Sequence, residues 1–170
     1  MSVTIYLMRH GIAADLVAGT SDADRALTAD GVRKTTRAAV GLQKIGVKPD
    51  LILSSPLRRA EETARLVGEV VAPNTPIELY PPLAGGSPEE VIRGLRAHRR
   101  ASELLLVGHQ PDLGHLASYL LTGSVNLVPL PLKKAGVAAI SVASVPPRSA
   151  GELEWFVTPG QLRAIAASRN

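Results

Sequence analysis

The sequence predicts an α/β protein in which a mostly parallel central sheet is covered by helices on both faces, a three-layer sandwich. Short apolar runs alternate with longer segments of helical pattern along the whole chain. Only five of the 170 residues are aromatic (three Tyr, one Trp, one Phe), so the core must consist of aliphatic side chains, as in sheets covered by helices. This length suits one sizeable core, and a single domain spanning residues 1–170 is expected.

The first half of the chain begins with a β-rich apolar run, Val3 to Met8, typical of a central strand. Thr28 is the predicted N-cap of a helix that ends at Gly46. Leu51–Ser54 is the next predicted strand.

Ser55 and Pro56 then predict an N-cap followed by proline at the first position of a helix that runs to about Val71. The remaining predicted elements are a short strand at Ile77–Leu79, a helix from the Ser87–Glu90 capping box to near His98, strands at Glu103–Val107, Val137–Val142 and Leu153–Val157, and helices at Asp112–Leu121 and after Thr158.

Three predicted strands run directly into charged or imidazole side chains. The first ends in Arg9-His10-Gly11, the second is followed by a segment that ends in Arg58-Arg59, and the Glu103–Val107 strand is followed by His109. Ligands of open α/β sheets bind at the carboxyl ends of parallel strands, so two Arg and two His are expected to line one pocket.

Such a set of side chains fits phosphoryl transfer, in which catalysis consists mainly of positioning and of neutralising charge on the phosphoryl oxygens. Guanidinium forks match those oxygens. An imidazole held in one tautomer can attack phosphorus, and a second imidazole can bind the oxygens or handle protons.

Three motifs resemble those of the histidine phosphatase superfamily. The segment from Leu7 to Gly11 is similar to its Arg-His-Gly signature, Ser55–Ala64 to its second motif, and Gly108-His109 to the motif that carries the second catalytic His. The resemblance implies a phosphoglycerate mutase-like fold, and it extends over nearly the whole chain. It also implies that His10 is the nucleophile and that Arg59, not Arg58, binds phosphate.

Within that superfamily the chain is similar to the SixA-type protein phosphohistidine phosphatases in its short length, its Asp24–Thr28 segment and its Gly85–Pro88 loop. The larger branch has a Glu general acid after the third strand, whereas Tyr80–Gly86 contains no carboxylate. This departure favours a good leaving group, such as an imidazole. The resemblance implies that the substrate is a phosphohistidine protein, such as a component of a phosphorelay or phosphotransfer system. Two alternatives remain open: a phosphatase that acts on a small phosphomonoester, and a protein that binds phosphate with little turnover.

The predicted site residues form a catalytic group and a substrate-binding group, and neither a metal nor a cofactor is predicted. The predicted catalytic residues are His10, His109, Arg9 and Arg59. The predicted substrate-binding residues are Arg9, Gly11, Arg25, Arg59, His109 and Gln110. Gly11 would let its loop approach the anion closely. Arg25 either reaches the pocket, as an Arg of the corresponding segment does in the SixA-type branch, or forms a surface ion pair with Asp22 or Asp24.

Two arrangements superficially suggest a metal site. His109, Asp112 and His115 are all possible metal ligands. On a helix, however, positions six apart lie about 240° around the axis, so His109 and His115 would lie on different faces. Asp22 and Asp24 resemble the paired aspartates of metal-dependent phosphatases, but no apolar strand precedes them. Neither arrangement predicts a metal.

The remaining features exclude broad classes of function. Arg96, Arg99 and Arg100 suit the last turn of a helix and its dipole better than nucleic acid, although the formal net charge is +4. The sequence contains no Cys, which excludes cysteine nucleophiles. No apolar stretch reaches the roughly 20 residues of a membrane span, and the N-terminus lacks the pattern of a signal peptide. A cytoplasmic protein without membrane or nucleic-acid partners is expected.

Overall fold

A six-stranded sheet forms the centre of the molecule. The computed structural model describes residues 2–169, so the first and last residues of the predicted domain lie outside the described part. The strands are β1 (Val3–Arg9), β2 (Leu51–Ser54), β3 (Ile77–Leu79), β4 (Glu103–Gly108), β5 (Val137–Val142) and β6 (Glu152–Val157). Each predicted strand is present, with bounds that differ by at most one residue.

The order of the strands explains where the polar side chains meet. Across the sheet the order is β3-β2-β4-β1-β5-β6. The first four of these are parallel, whereas β5 and β6 pair antiparallel. Because β2, β4 and β1 are contiguous and parallel, their carboxyl ends lie side by side at one edge of the sheet.

Helices cover both faces of the sheet, as predicted. They are α1 (Ala29–Lys44), α2 (Arg58–Val71), α3 (Pro88–Gly94), α4 (Asp112–Thr122) and α5 (Pro159–Ala167). Alternate side chains of β1 enter the two halves of the core: Leu7 packs in the cluster that contains residues of α3 and α4, and Met8 in the cluster that contains residues of α1, α2 and α5. The architecture is therefore a three-layer α/β sandwich.

Side-chain caps are present at three of the predicted helix N-termini. The Thr28 side chain accepts a hydrogen bond from the Gly31 amide. Capping boxes start α3 at Ser87 and α5 at Thr158. The predicted third helix is split, because the segment that follows α3 is a 3₁₀ helix, Leu95–His98.

One predicted cap is wrong. The second helix begins at Arg58, its N-cap is Leu57, and it has no side-chain cap. Ser55 lies before this helix, and its hydroxyl lies 2.7 Å from Nε2 of His109. Serine is typical of helix caps, but here its side chain contacts a predicted site residue.

Among residues 2–169, no helix combines the length and the apolar character that crossing a bilayer requires.

Candidate active site

The two histidines predicted to meet lie against each other at the carboxyl edge of the sheet. Their ring centroids are 5.2 Å apart and the rings are tilted by 52°. His10 follows β1 and His109 follows β4, and these strands pair through Arg9 and Gly108. The exposed fractions of His10 and His109 are only 7% and 9%, so both imidazoles are largely withdrawn from solvent.

Hydrogen bonds to the backbone fix the orientation of His10. Its amide donates to the Gly108 carbonyl at 3.0 Å. Its Nδ1 lies 2.7 Å from the carbonyl oxygen of Gly11. Because a carbonyl oxygen can only accept, Nδ1 carries the proton, and in the neutral ring the lone pair is on Nε2. The Nε2 atom is therefore the atom of His10 that is able to act as a nucleophile.

The surroundings keep both imidazoles neutral near pH 7. The pKa of His10 is lowered to about 3, mainly by burial, although the hydrogen bond to Gly11 acts in the opposite direction. The neighbouring His109, Arg59 and Arg9 contribute to this lowering by charge repulsion. Burial and then the charge of Arg59 lower the pKa of His109 to about 4. A neutral imidazole is the form that can attack phosphorus.

His109 is supported by Ser55 from the neighbouring strand end. The Ser55 amide donates to the Val107 carbonyl at 2.9 Å, which joins the segment after β2 to β4. The fully buried Ser55 hydroxyl lies 2.7 Å from Nε2 of His109 and also accepts from the Leu57 amide. Sequence reasoning assigned Ser55 to a helix cap and missed this contact, for which the sequence offers no separate signal.

The two adjacent arginines of α2 have different surroundings. Arg59 is buried, with 7% of its surface exposed, whereas Arg58 is exposed and pairs with Glu62 at 2.8 Å. The structure thus brings Arg59 to the histidines and leaves Arg58 outside. This agrees with the choice that the motif resemblance implies.

Arg9 is the second guanidinium whose charge acts on both histidines. Its Nη1 donates to the Leu132 carbonyl at 3.1 Å, and burial lowers its pKa. Its Nε is buried and has no hydrogen-bond partner within the described residues. The site therefore contains a second guanidinium whose donors are only partly satisfied by protein.

A carboxylate that sequence reasoning did not place in the site contacts Arg59. Nη1 of Arg59 donates to the Asp22 carbonyl at 2.8 Å, and Nη2 lies 3.0 Å from Oδ2 of the same residue. Asp22 belongs to a short 3₁₀ helix, Asp22–Asp24, between β1 and α1. The hydrogen bonds from Arg25 and Arg59 lower the pKa of the Asp22 carboxyl group, so it is ionised at neutral pH.

Arg25 reaches the histidines only indirectly. Its Nε donates to the Ala14 carbonyl at 2.7 Å, and its Nη1 pairs with Oδ1 of Asp22 at 2.9 Å. The ion pair with Asp22 considered from the sequence is present, and the opposite oxygen of that carboxylate holds Arg59. Arg25 is thus linked to Arg59 through Asp22.

Gly11 contacts α2 by a hydrogen bond, and packing against α1 leaves no room for a side chain there. Its amide donates to the Thr63 hydroxyl at 3.0 Å, and that hydroxyl donates to the Arg59 carbonyl at 2.7 Å. A Cβ atom at Gly11 would lie 2.3 Å from Oγ1 of Thr35 in α1. Glycine lets the loop pass between the two helices, a different reason from the close approach to an anion that the sequence suggested. Thr63 lies within the Ser55–Ala64 motif, which by itself predicts no such role for this residue.

The last predicted site residue points elsewhere. Nε2 of Gln110 approaches the Leu130 carbonyl at 3.4 Å, so this side chain is directed toward the segment before β5. Residues 2–169 contain no group of three or more His, Asp or Glu side chains placed to hold a metal ion. His115 and Asp112 accordingly do not converge with His109.

The fold and the geometry define a class of protein: an α/β protein with two neutral imidazoles and two guanidiniums at the carboxyl ends of adjacent strands. The model of the histidine phosphatase superfamily (branch 1) matches residues 5–84. An uncharacterized protein of Picosynechococcus sp. is 36% identical over 160 residues, which cover 91% of this chain and 96% of that protein.

Two further relatives carry a more specific name. The phosphohistidine phosphatase SixA of Escherichia coli K12 is 27% identical over 166 residues, 96% of this chain and 98% of that protein. A solved structure of the protein histidine phosphatase SixA complexed with tungstate superposes with a TM-score of 0.82 at 28% identity, covering 94% of this chain and 99% of that one. This chain belongs to the histidine phosphatase superfamily, and the phosphoglycerate mutase-like fold class is confirmed.

Proposed function

We propose that this protein is a metal-independent phosphatase that hydrolyses phosphohistidine on a protein, with a phosphorylated His10 as the covalent intermediate. The observation that carries the proposal is the contact of two buried imidazoles, whose ring centroids are 5.2 Å apart, within range of the charges of Arg9 and Arg59. The names of the SixA relatives support the choice of phosphohistidine.

In the first step, the lone pair on Nε2 of His10 forms a bond to phosphorus. The phosphorus–nitrogen bond of the substrate breaks, and its electron pair stays on the departing imidazole. Arg9, Arg59 and His109 stabilise the three equatorial oxygens, on which charge is spread in the transition state. The Gly11 carbonyl, 2.7 Å from Nδ1, stabilises the positive charge that His10 acquires.

In the second step, a water molecule attacks the phosphorus of phosphorylated His10. The bond to Nε2 breaks, its electron pair returns to that nitrogen, and inorganic phosphate leaves. A neutral His109 can accept a proton from the attacking water and pass it to the product. The low pKa of His109, about 4 in the free protein, keeps it in the form that this role requires.

The leaving group of the first step needs little help from the protein. A phosphoimidazole that is protonated at its distal nitrogen leaves as a neutral imidazole. An alkyl ester, by contrast, leaves as an alkoxide unless an acid protonates it. Tyr80–Gly86 contains no carboxylate, and Asp22 is ionised, so neither supplies such an acid.

The test compares phosphate release from a phosphohistidine protein, a small alkyl ester and an aryl phosphate. We expect turnover of the first and third, poor turnover of the alkyl ester, and no effect of EDTA. His10→Gln should abolish turnover and prevent the transfer of an acid-labile phosphoryl group to the chain. Full activity of this variant would exclude the covalent mechanism, and loss of activity in EDTA that added metal restores would exclude metal independence.

Phosphate binding with little turnover is the second candidate, and the absence of a carboxylic acid from Tyr80–Gly86 favours it. Without a group that protonates the leaving oxygen, a bound phosphate ester would be cleaved slowly. Tight tungstate binding without phosphate release from any of the three compounds would support this function over catalysis.

A further inference from the structure

A basic groove lies beside the loop that carries His10 and extends beyond the site described above, with which it shares Arg9. It has a volume of about 370 Å³. Its lining includes residues on both sides of His10 in the sequence, and five cationic side chains from four different segments. These residues are Arg9, Ile12, Lys34, Lys133, Lys134 and Arg163.

The two lysines are held close to the nucleophile by backbone hydrogen bonds. The amide of Ala135 approaches the carbonyls of Arg9 and His10 at 3.0 and 3.1 Å. The Gly136 amide donates to the Lys133 carbonyl at 2.7 Å, which closes a tight turn. The turn therefore places Lys133 and Lys134 directly next to the loop that carries His10.

Most of the positive charge in this groove is not neutralised by the protein. Lys34 pairs with Asp30 at 2.7 Å. Lys133, Lys134 and Arg163 form no ion pair within residues 2–169, and both lysines are exposed. Cations gathered in a concave surface create a positive potential that attracts anionic partners and raises their rate of association.

We propose that this groove binds an acidic segment of the phosphorylated protein, next to the phosphohistidine that enters the active site. The proposal rests on the proposed function, because a protein substrate must present surface beyond its phosphoryl group. Opposite charges across such a contact guide encounter and fix orientation. Single-stranded nucleic acid fits less well, since no aromatic side chain on which a base could stack lines the groove.

The experiment uses two synthetic phosphohistidine peptides that differ only beside the phosphohistidine, where one has several Glu and the other has Gln. At low ionic strength we expect kcat/KM to be about tenfold higher for the Glu peptide, with the difference reduced by salt. In Lys133→Gln/Lys134→Gln the preference should disappear, while hydrolysis of an aryl phosphate stays unchanged. A matched control, Arg96→Gln/Arg99→Gln, removes the same charge from exposed residues outside this groove and should keep the preference.

Equal hydrolysis of the two peptides by the native protein would overturn the proposal, as would loss of aryl phosphate hydrolysis in the lysine variant. Binding of the unphosphorylated Glu and Gln peptides, followed by fluorescence anisotropy, separates the groove from the proposed function. If the protein binds the Glu peptide through the lysines but hydrolyses neither phosphopeptide, the proposed phosphatase function is refuted, whereas the proposed binding of acidic segments in the groove is supported. Stronger binding of a single-stranded oligonucleotide than of the Glu peptide would overturn the assignment of an acidic protein segment.

Discussion

The floor and the rim of the active site are built in opposite ways. The floor consists of His10, Arg59 and His109, which are buried and lie where adjacent strands end or the following helix begins. The rim consists of residues 14–27, a largely exposed segment that contacts the floor through Asp22. The side chain of Asp22 is 52% exposed, whereas that of Arg59 is 9% exposed. Strands and helices thus position the side chains for which a catalytic role is proposed. The exposed loop supplies the carboxylate that competes with a bound phosphate for Arg59.

The largest effect expected is that of removing a floor cation. Arg59→Ala should lower kcat/KM for an aryl phosphate by about 10²- to 10³-fold, as is typical when a preorganised donor to a developing oxyanion is lost. The adjacent Arg58→Ala is the matched control and should change kcat/KM by less than about twofold, since Arg58 is exposed and its ion pair is with the surface residue Glu62. Steady-state kinetics of the two variants checks this, and a similar loss in both would contradict the distinction.

Burial of the floor also makes stability depend on pH. The folded pKa values of His10 and His109, about 3 and about 4, lie below the value near 6.5 of an unfolded chain. The unfolded chain therefore binds more protons below about pH 6.5. The stability that the neutral imidazoles contribute is complete above that pH, and it is lost as the pH falls toward 4 and 3.

When the pH falls from 7 to 5, protonation of each of these two histidines in the unfolded chain should lower the free energy of unfolding by at most about 2 kcal/mol. Chemical denaturation at both pH values measures this loss. In His109→Gln one of the two groups no longer titrates, so the loss should be smaller than in the native protein. An equal loss in both proteins would mean that His109 titrates normally in the folded chain.

Two buried threonines on either side of Gly11 test how the floor is supported. The Thr63 hydroxyl accepts from the Gly11 amide and donates to the Arg59 carbonyl, whereas Oγ1 of Thr35 is buried without a partner in the described residues. Thr63→Val should cost about 1 to 3 kcal/mol, because it leaves a buried amide unsatisfied. Thr35→Val should be neutral or stabilising. Thermal or chemical denaturation compares them, and a larger cost at Thr35 would contradict this account.

The difference between floor and rim also explains what could be predicted from the sequence. Strand positions, most helix caps and the convergence of His10, Arg59 and His109 follow from local patterns, because apolar runs define the strands and parallel strands bring their ends together. Their arrangement in space agrees with that prediction, while their catalytic roles stay a proposal.

The missed features depend on contacts between residues far apart in the chain. Ser55 reads as a helix cap, and its use by His109 depends on a residue 54 positions away. Asp22 lies 37 positions from Arg59, in a segment without periodic pattern. Gln110 follows the same strand as His109, yet its side chain turns to Leu130. Sequence proximity to a strand end locates the backbone of a residue but does not determine the direction of its side chain.

The smallest effect is expected at the rim, where it decides what Asp22 does. The carboxylate partly neutralises Arg59 and repels an incoming oxyanion, while an amide of the same shape would keep a hydrogen bond without the charge. Asp22→Asn should therefore tighten tungstate binding by about three- to tenfold, measured by calorimetry. Asp24→Asn is the matched control in the same 3₁₀ helix and should leave the affinity unchanged. Weaker binding in Asp22→Asn would instead make the carboxylate a positioning residue for Arg59, and the rim would then belong to the same preorganised unit as the floor.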